Sequence, residues 1–326
     1  MSDNQQNNPE PRPLNRREFV QRLAIATAGV GFVGVAFKGA ILNGNQRQEV
    51  AEAAADKIGK LPKRNLGKRL GNMKVAPMFI CQDWNKDLYA AGLAAGLNFV
   101  HKAGYWREMP EEFKKLPRES YYTDVCVDST PNNPDDETAA YRQVTESLDR
   151  NGLKYYDIFR AHFGWKTADA LKNQRGTYRA FQRLKKEGKV RYFGVSQHDY
   201  RPYPEIIQAI IDDGTVDHMQ VFFSYGEDKA VNEIFDKAHR AGIGLTAMKV
   251  FARGFDRVRD NAEAQAALKV NGKPGRALYR HVLNLKGSDG KPIFDACVSN
   301  LRNFDQFDEN IGAASSQVAM LENWTV

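Results

Sequence analysis

The residues best placed to do chemistry close three short apolar runs. Residues 99–101 end on His101, residues 155–162 end on His162, and residues 190–198 end on Ser196-Gln197-His198. A further run, 121–127, carries Cys126 and is followed by Asp128. Imidazoles beside a hydroxyl and an amide suit two chemistries. One is proton transfer to, or polarisation of, a carbonyl oxygen as negative charge develops on it. The other is ligation of a first-row transition metal, to which thiolate and carboxylate would add. The metal reading lacks an H-x-H or H-E-x-x-H signature, so it rests on His101, His162 and His198 sharing one rim with Cys126 and Asp128.

What must hold such residues together is a parallel sheet, because ligands gather at the carboxyl ends of its strands. Short apolar runs recur at 78–82, 99–103, 121–127, 156–163, 192–196, 218–224, 245–250 and 294–299. Between them lie amphipathic stretches, among them 136–150, 178–189, 205–211, 229–241 and 275–285. Stretch 178–189 closes on Lys185-Lys186-Glu187-Gly188-Lys189, with basic side chains and a glycine suited to a helix C-terminus. Eight βα units in ~250 residues predict an α/β fold of the (β/α)8 TIM-barrel type. No solenoid period appears beyond this βα alternation.

The strand 155–162 and the strand 190–198, joined by their helix, resemble the aldo/keto reductase superfamily. Asn65-Leu66-Gly67-Lys68 through Val75-Ala76-Pro77 is similar to its opening hairpin, Ala94-Ala95-Gly96-Leu97-Asn98-Phe99 to its entry into strand two, and Gly242 to Lys249 to its seventh strand. The resemblance spans residues 60–315 and implies hydride transfer between a nicotinamide, NADP(H) or NAD(H), and a small carbonyl or alcohol substrate. In that family a Tyr is the proton donor, tuned by a Lys–Asp pair, and a His orients the carbonyl. A phenol titrates near 10, so a neighbouring ammonium is needed to ease proton release. The resemblance places the orienting role on His162 and the proton donor on Tyr105, which arrives one residue early, with Trp106 in the usual place. The Asp position holds His101 and the Lys position holds Cys126, so Lys102 is the candidate substitute ammonium. Ser196, Gln197 and Gln220 fall where the family binds the nicotinamide amide, and Glu309-Asn310 where it contacts adenine. The positions for a 2′-phosphate hold Gln306 and Asn300, leaving Arg302 as the nearby cation. The departed Asp–Lys pair leaves open a catalytically degenerate barrel acting as a binding protein, beside the metal reading.

The N-terminus reads as a separate object. Residues 1–14 are Asn-, Gln- and Pro-rich and predict a disordered tail. Residues 15–55 begin Asn15-Arg16-Arg17-Glu18-Phe19 and continue into a weakly apolar run at 24–37, shorter than the ~20 residues that span a bilayer. The arginine pair resembles a twin-arginine export signal, which implies that machinery as a partner and a periplasmic or cell-envelope location. Ala51-Glu52-Ala53 offers a small-residue cleavage site; an uncleaved segment would touch the membrane and nothing else in the chain would. The barrel then occupies 56–326. The 326 residues carry a net charge of +7, spread along the chain with a denser stretch at 57–74, and no nucleic-acid signature. Three cysteines inside predicted strands do not form a disulfide framework. Residues 251–274 read as a long, arginine-bearing loop over the barrel mouth, and Trp106 and Trp165 as aromatic walls of that mouth.

Overall fold

The computed structural model of the protein describes residues 44–321 except 82, 103, 129–135, 163–166, 174, 198–202 and 271. Residues 1–43, which hold the tail and the arginine pair, lie outside the described residues, as do Trp165 and His198. All eight apolar runs are strands of one closed parallel barrel. They are β3 (Met78–Cys81), β4 (Phe99–His101), β5 (Tyr122–Val127), β6 (Tyr156–Ala161), β7 (Val190–Gln197), β8 (His218–Phe222), β9 (Gly244–Met248) and β10 (Ala296–Ser299). Consecutive strands pair in sequence order and β10 closes on β3, which gives the (β/α)8 barrel. Strands buried on both faces need no polar side, so they read as unbroken apolar runs.

Before the barrel, β1 (Arg64–Asn65) and β2 (Lys74–Val75) form an antiparallel hairpin. Leu66, Leu70, Met73 and Val75 from this hairpin pack against Phe79, Phe99, Ile158 and Ala296 inside the amino-terminal end of the barrel. Phe79 and Phe99 stack there with centroids 3.9 Å apart. Gly67 makes the plug possible: its φ is +65° and a Cβ would lie 2.4 Å from the Gly244 amide nitrogen. With this end filled, the barrel opens at the carboxyl ends of its strands, where a cavity lies.

Two segments differ from expectation. Residues 251–274 are not one long loop, since most of them fold into the helices Val250–Arg259 and Ala262–Ala267. Val250 and Val258 bury the first, Ala264 and Leu268 the second, and the close seat of the first helix against Leu278 uses Gly254. The boundary at 55/56 falls inside a helix, Gly44–Ile58, that belongs to the barrel's packing. Val50, Ala51, Ala54, Ala55 and Ile58 are buried, Lys57 Nζ lies 2.9 Å from Asp308, and the Ser315 hydroxyl donates to the Ile58 carbonyl. Cys81, Cys126 and Cys297 are free and buried.

Candidate functional site

Period-2 alternation along the strands sends every second side chain into the barrel. Above the aromatic plug this set becomes polar. His101 on β4, Asp124 on β5 and Arg160 on β6 meet in one cluster, each no more than 6% exposed. Asp124 Oδ2 accepts from His101 Nδ1 at 2.9 Å and forms an ion pair with Arg160 Nη2 at 3.1 Å, while Oδ1 accepts from the Lys102 backbone N–H at 2.6 Å. Burial alone would raise the Asp124 pKa, but Arg160 and His101 outweigh it and hold the carboxyl down at about 2. Burial, aided by the charge of Arg160, lowers the pKa of His101 against the pull of Asp124. One layer lower, His218 Nε2 bonds Thr246 Oγ1 at 2.9 Å, and burial with Arg160 pushes that imidazole to about 3.

His101 and Gln220 form the floor of a cavity of about 590 Å³ at the carboxyl ends of the strands. Met248, Phe251, Tyr279 and Val298 give it apolar walls, and Asn300, Gln306, Glu309 and Asn310 a polar rim. Its charged lining is Lys249 against Asp83 and Glu309. Gln220 Nε2 lies 3.4 Å from His101 Nε2 and 3.6 Å from Met248 Sδ, and its buried Oε1 has no hydrogen-bond partner. Arg160 Nε and His218 Nδ1 are likewise buried without one.

The sequence-derived candidates separate on this map. His101, Gln220, Glu309 and Asn310 line the cavity. Glu309 accepts from the Gly275 amide at 2.7 Å, and Asn310 donates to Ser299 Oγ at 3.0 Å. His162 sits beside Ser196, with Nδ1 3.5 Å from its hydroxyl, and burial, Arg160 and His101 lower its pKa to about 4. Ser196 and Gln197 are buried at the end of β7. Tyr105 stands apart: its ring packs edge-on against exposed Trp106, and it does not line the cavity. Lys102 is buried on the opposite side of β4 from His101. Its Nζ donates to Ser147 Oγ at 2.7 Å and to the carbonyls of Gly104 and Tyr105, so the ammonium ties the strand to the helix Glu137–Asn151. Arg302 is exposed, its backbone N–H donating to Gln306, and lies outside the cavity lining. Burial pushes the Cys126 thiol up to about 11, against the opposing influence of the Ser196 side chain beside it. Asp128 is half-buried, its backbone N–H donating to Gln143. Among the described residues no three His, Cys, Asp or Glu side chains converge as a metal site would require. Sequence reasoning missed Asp124 and Arg160. Both lie two residues before a flagged position, Cys126 and His162, and so on the same strand face.

Residues 83–317 match the sequence model of the aldo/keto reductase family. Among solved structures, a Pseudomonas aeruginosa protein assigned to the aldo-keto reductases superposes with a TM-score of 0.57 at 17% identity, over 80% of this chain and 97% of that one. An aldo-keto reductase of Bacillus halodurans in its holo form gives 0.57 at 17% identity, over 80% and 96%. An aldo-keto reductase from a Medee basin deep-sea metagenome gives 0.52 at 18% identity, over 73% and 85%. At these identities the likeness is one of fold. No curated protein matches the sequence.

Proposed function

Since the chain belongs to the aldo/keto reductase family, we propose that it is an oxidoreductase acting between a nicotinamide dinucleotide and a small carbonyl or alcohol substrate in the cavity above His101. The observation that carries this reading is Gln220 Oε1, a buried acceptor without a partner at the cavity floor. A buried unpaired acceptor is costly until a donor reaches it, and a carboxamide NH2 is such a donor. The residues therefore fit the nicotinamide end of the cofactor, with Gln220, Ser196 and Gln197 as the candidate holders of its amide. Asn310 and Glu309 on the rim suit the adenosine end. When bound there, the dinucleotide would supply or accept the hydride.

The chain's own residues would do the rest. His162, kept neutral by burial and by Arg160, would orient the substrate oxygen. Met248, Phe251, Tyr279 and Val298 would exclude water and favour a substrate with an apolar body. Discrimination for a 2′-phosphate normally uses Arg or Lys. Lys249 is the cavity's basic side chain among the described residues, against two carboxylates, so NAD(H) is favoured over NADP(H). We also propose export through the Arg16-Arg17 segment, the folded barrel travelling with its cofactor.

The test is mass and absorbance analysis of what co-purifies with the protein, followed by fluorescence titration with NADH and NADPH. Saturable binding of either, weakened at least tenfold in Gln220→Ala, is expected. Binding of neither refutes the proposal.

A further inference from the structure

We infer that His101 is the base that removes the hydroxyl proton of an alcohol substrate, with Asp124 and Arg160 as its positioning residues, so that the site is built for the oxidative direction. This rests on the hydride-transfer reading above. The Asp124 carboxylate accepts hydrogen bonds from the Lys102 amide and His101 Nδ1 and forms an ion pair with Arg160 Nη2. An ionised carboxylate is acceptor-only, so the Nδ1 contact requires the imidazole proton to sit on Nδ1. Arg160 Nη2 also lies 3.3 Å from Nδ1, a contact that would need a bare Nδ1, but the shorter 2.9 Å contact with the carboxylate decides the tautomer, because a bare Nδ1 there would face the anion with its lone pair. Nε2 is left with its lone pair, and it is the nitrogen on the Gln220 side, in a residue that lines the cavity. The Gln220 contact at 3.4 Å is long for a hydrogen bond, so a substrate hydroxyl can displace it at small cost.

The surroundings favour a base over an acid. Burial and Arg160 disfavour the imidazolium, and Asp124 and Asp83 oppose them without reversing the outcome. The other titratable and charged groups near the site are Cys81, Lys249, Tyr279 and Glu309 in the cavity lining, His162 just after β6 and His218 on β8. In the step itself the substrate O–H bond breaks and its proton forms an N–H bond at Nε2. The O–H electron pair becomes the second bond of C=O as the carbinol hydrogen leaves with its pair as hydride to the oxidised nicotinamide dinucleotide. Asp124 then faces an imidazolium, much as the carboxylate of a Ser-His-Asp triad does.

The test uses the full chain, benzyl alcohol as probe, and NAD+ and NADP+ in parallel. In the wild-type protein without cofactor, ¹⁵N spectra of His101 should show a protonated Nδ1 and a bare Nε2 from pH 6.5 to 8.5. His101→Gln should lower the oxidation rate about 10²–10⁴-fold, the range for a lost general base, with dinucleotide affinity changed less than threefold. Asp124→Asn should move the acid limb of the pH–rate profile down and Arg160→Met should move it up, opposite shifts that a merely structural role would not produce. A proton on Nε2 instead of Nδ1 overturns the inference, as does His101→Gln at wild-type rate, or a hundredfold loss in Tyr105→Phe with His101→Gln active. Failure of wild-type protein to bind either dinucleotide overturns the hydride-transfer reading and this inference with it.

Discussion

Arg160→Met tests the buried cluster through stability rather than activity. Removing one member of a buried ion pair commonly costs about 3–5 kcal/mol, because the other charge is left uncompensated. Here the cost should be smaller. Asp124 keeps both of its hydrogen-bond donors, His101 Nδ1 and the Lys102 amide. The substitution also removes Arg160 Nε, a buried donor without a partner, whose burial costs about 1–3 kcal/mol. The net loss should therefore be about 2 kcal/mol at pH 8.5. The loss should also depend on pH in a definite direction. In the wild type the His101 pKa is lowered, so its contribution is complete above the unfolded value near 6.5 and is lost as pH falls below it. Without Arg160 the imidazole becomes the countercharge of Asp124 and its pKa rises, which removes that acid penalty. His162 and His218, also depressed by Arg160, shift in the same sense. Asp124, held at about 2, stays ionised throughout this window. The deficit of Arg160→Met should shrink by about 1.4 kcal/mol or more between pH 6.5 and 5.5. Urea unfolding followed by circular dichroism at pH 8.5, 6.5 and 5.5 measures it. A deficit of 5 kcal/mol at every pH, or one that grows in acid, would refute the reasoning.

Four further outcomes are expected. Lys102→Met should leave the pH–rate profile of the reaction in place, because the ammonium bonds Ser147 and two carbonyls behind the strand; a displaced profile would return Lys102 to the catalytic set. Gly67→Ala should cost at least about 2 kcal/mol in thermal or urea unfolding, since the residue needs a positive φ and a Cβ would collide with the Gly244 backbone. Asp295→Asn should stabilise the protein at pH 8 by up to about 4 kcal/mol and leave it nearly unchanged at pH 4. Burial raises the Asp295 pKa to about 7, so its contribution is present below 3.8 and is lost as pH rises through 7; equal curves at pH 8 would contradict this. Lysine at both Arg16 and Arg17 should retain the protein in the cytoplasm, and N-terminal sequencing of any exported form should find a start before residue 44. A start at 52–54 would place cleavage inside the packed helix Gly44–Ile58.

The barrel was legible because its strands are buried on both faces, so that runs such as 218–224 and 245–250 stand out without a period to read. The helix Gly44–Ile58 resembles a linker in sequence because its buried face is largely Ala51, Ala54 and Ala55, too weakly apolar to mark a core element. Arginines at 253, 257 and 259 give the stretch a loop-like polarity, although the spacing of Val250, Gly254 and Val258 already describes a helix face. At the site, strand parity carried more information than motif matching. It puts Lys102 on the opposite face from His101, and Arg160 on the same face as His162. Parity fails beyond a strand end, which is why Tyr105, four residues past β4, could not be placed from sequence.

The rearranged residues form one consistent set. A phenol near pKa 10 needs an adjacent ammonium before it exchanges protons easily at neutral pH, which is the work of the Lys that the family resemblance expects where this chain has Cys126. An imidazole near 6.5 needs no such tuning. It needs a carboxylate to fix its tautomer and a second cation to keep that carboxylate ionised. Asp124 and Arg160 meet those two needs from the neighbouring strands. Once the proton-transfer atom is His101 Nε2, an ammonium on β5 would only repel the developing imidazolium. A neutral thiol beside Ser196 is then the more compatible neighbour, and Tyr105 is free to pack against Trp106 away from the cavity.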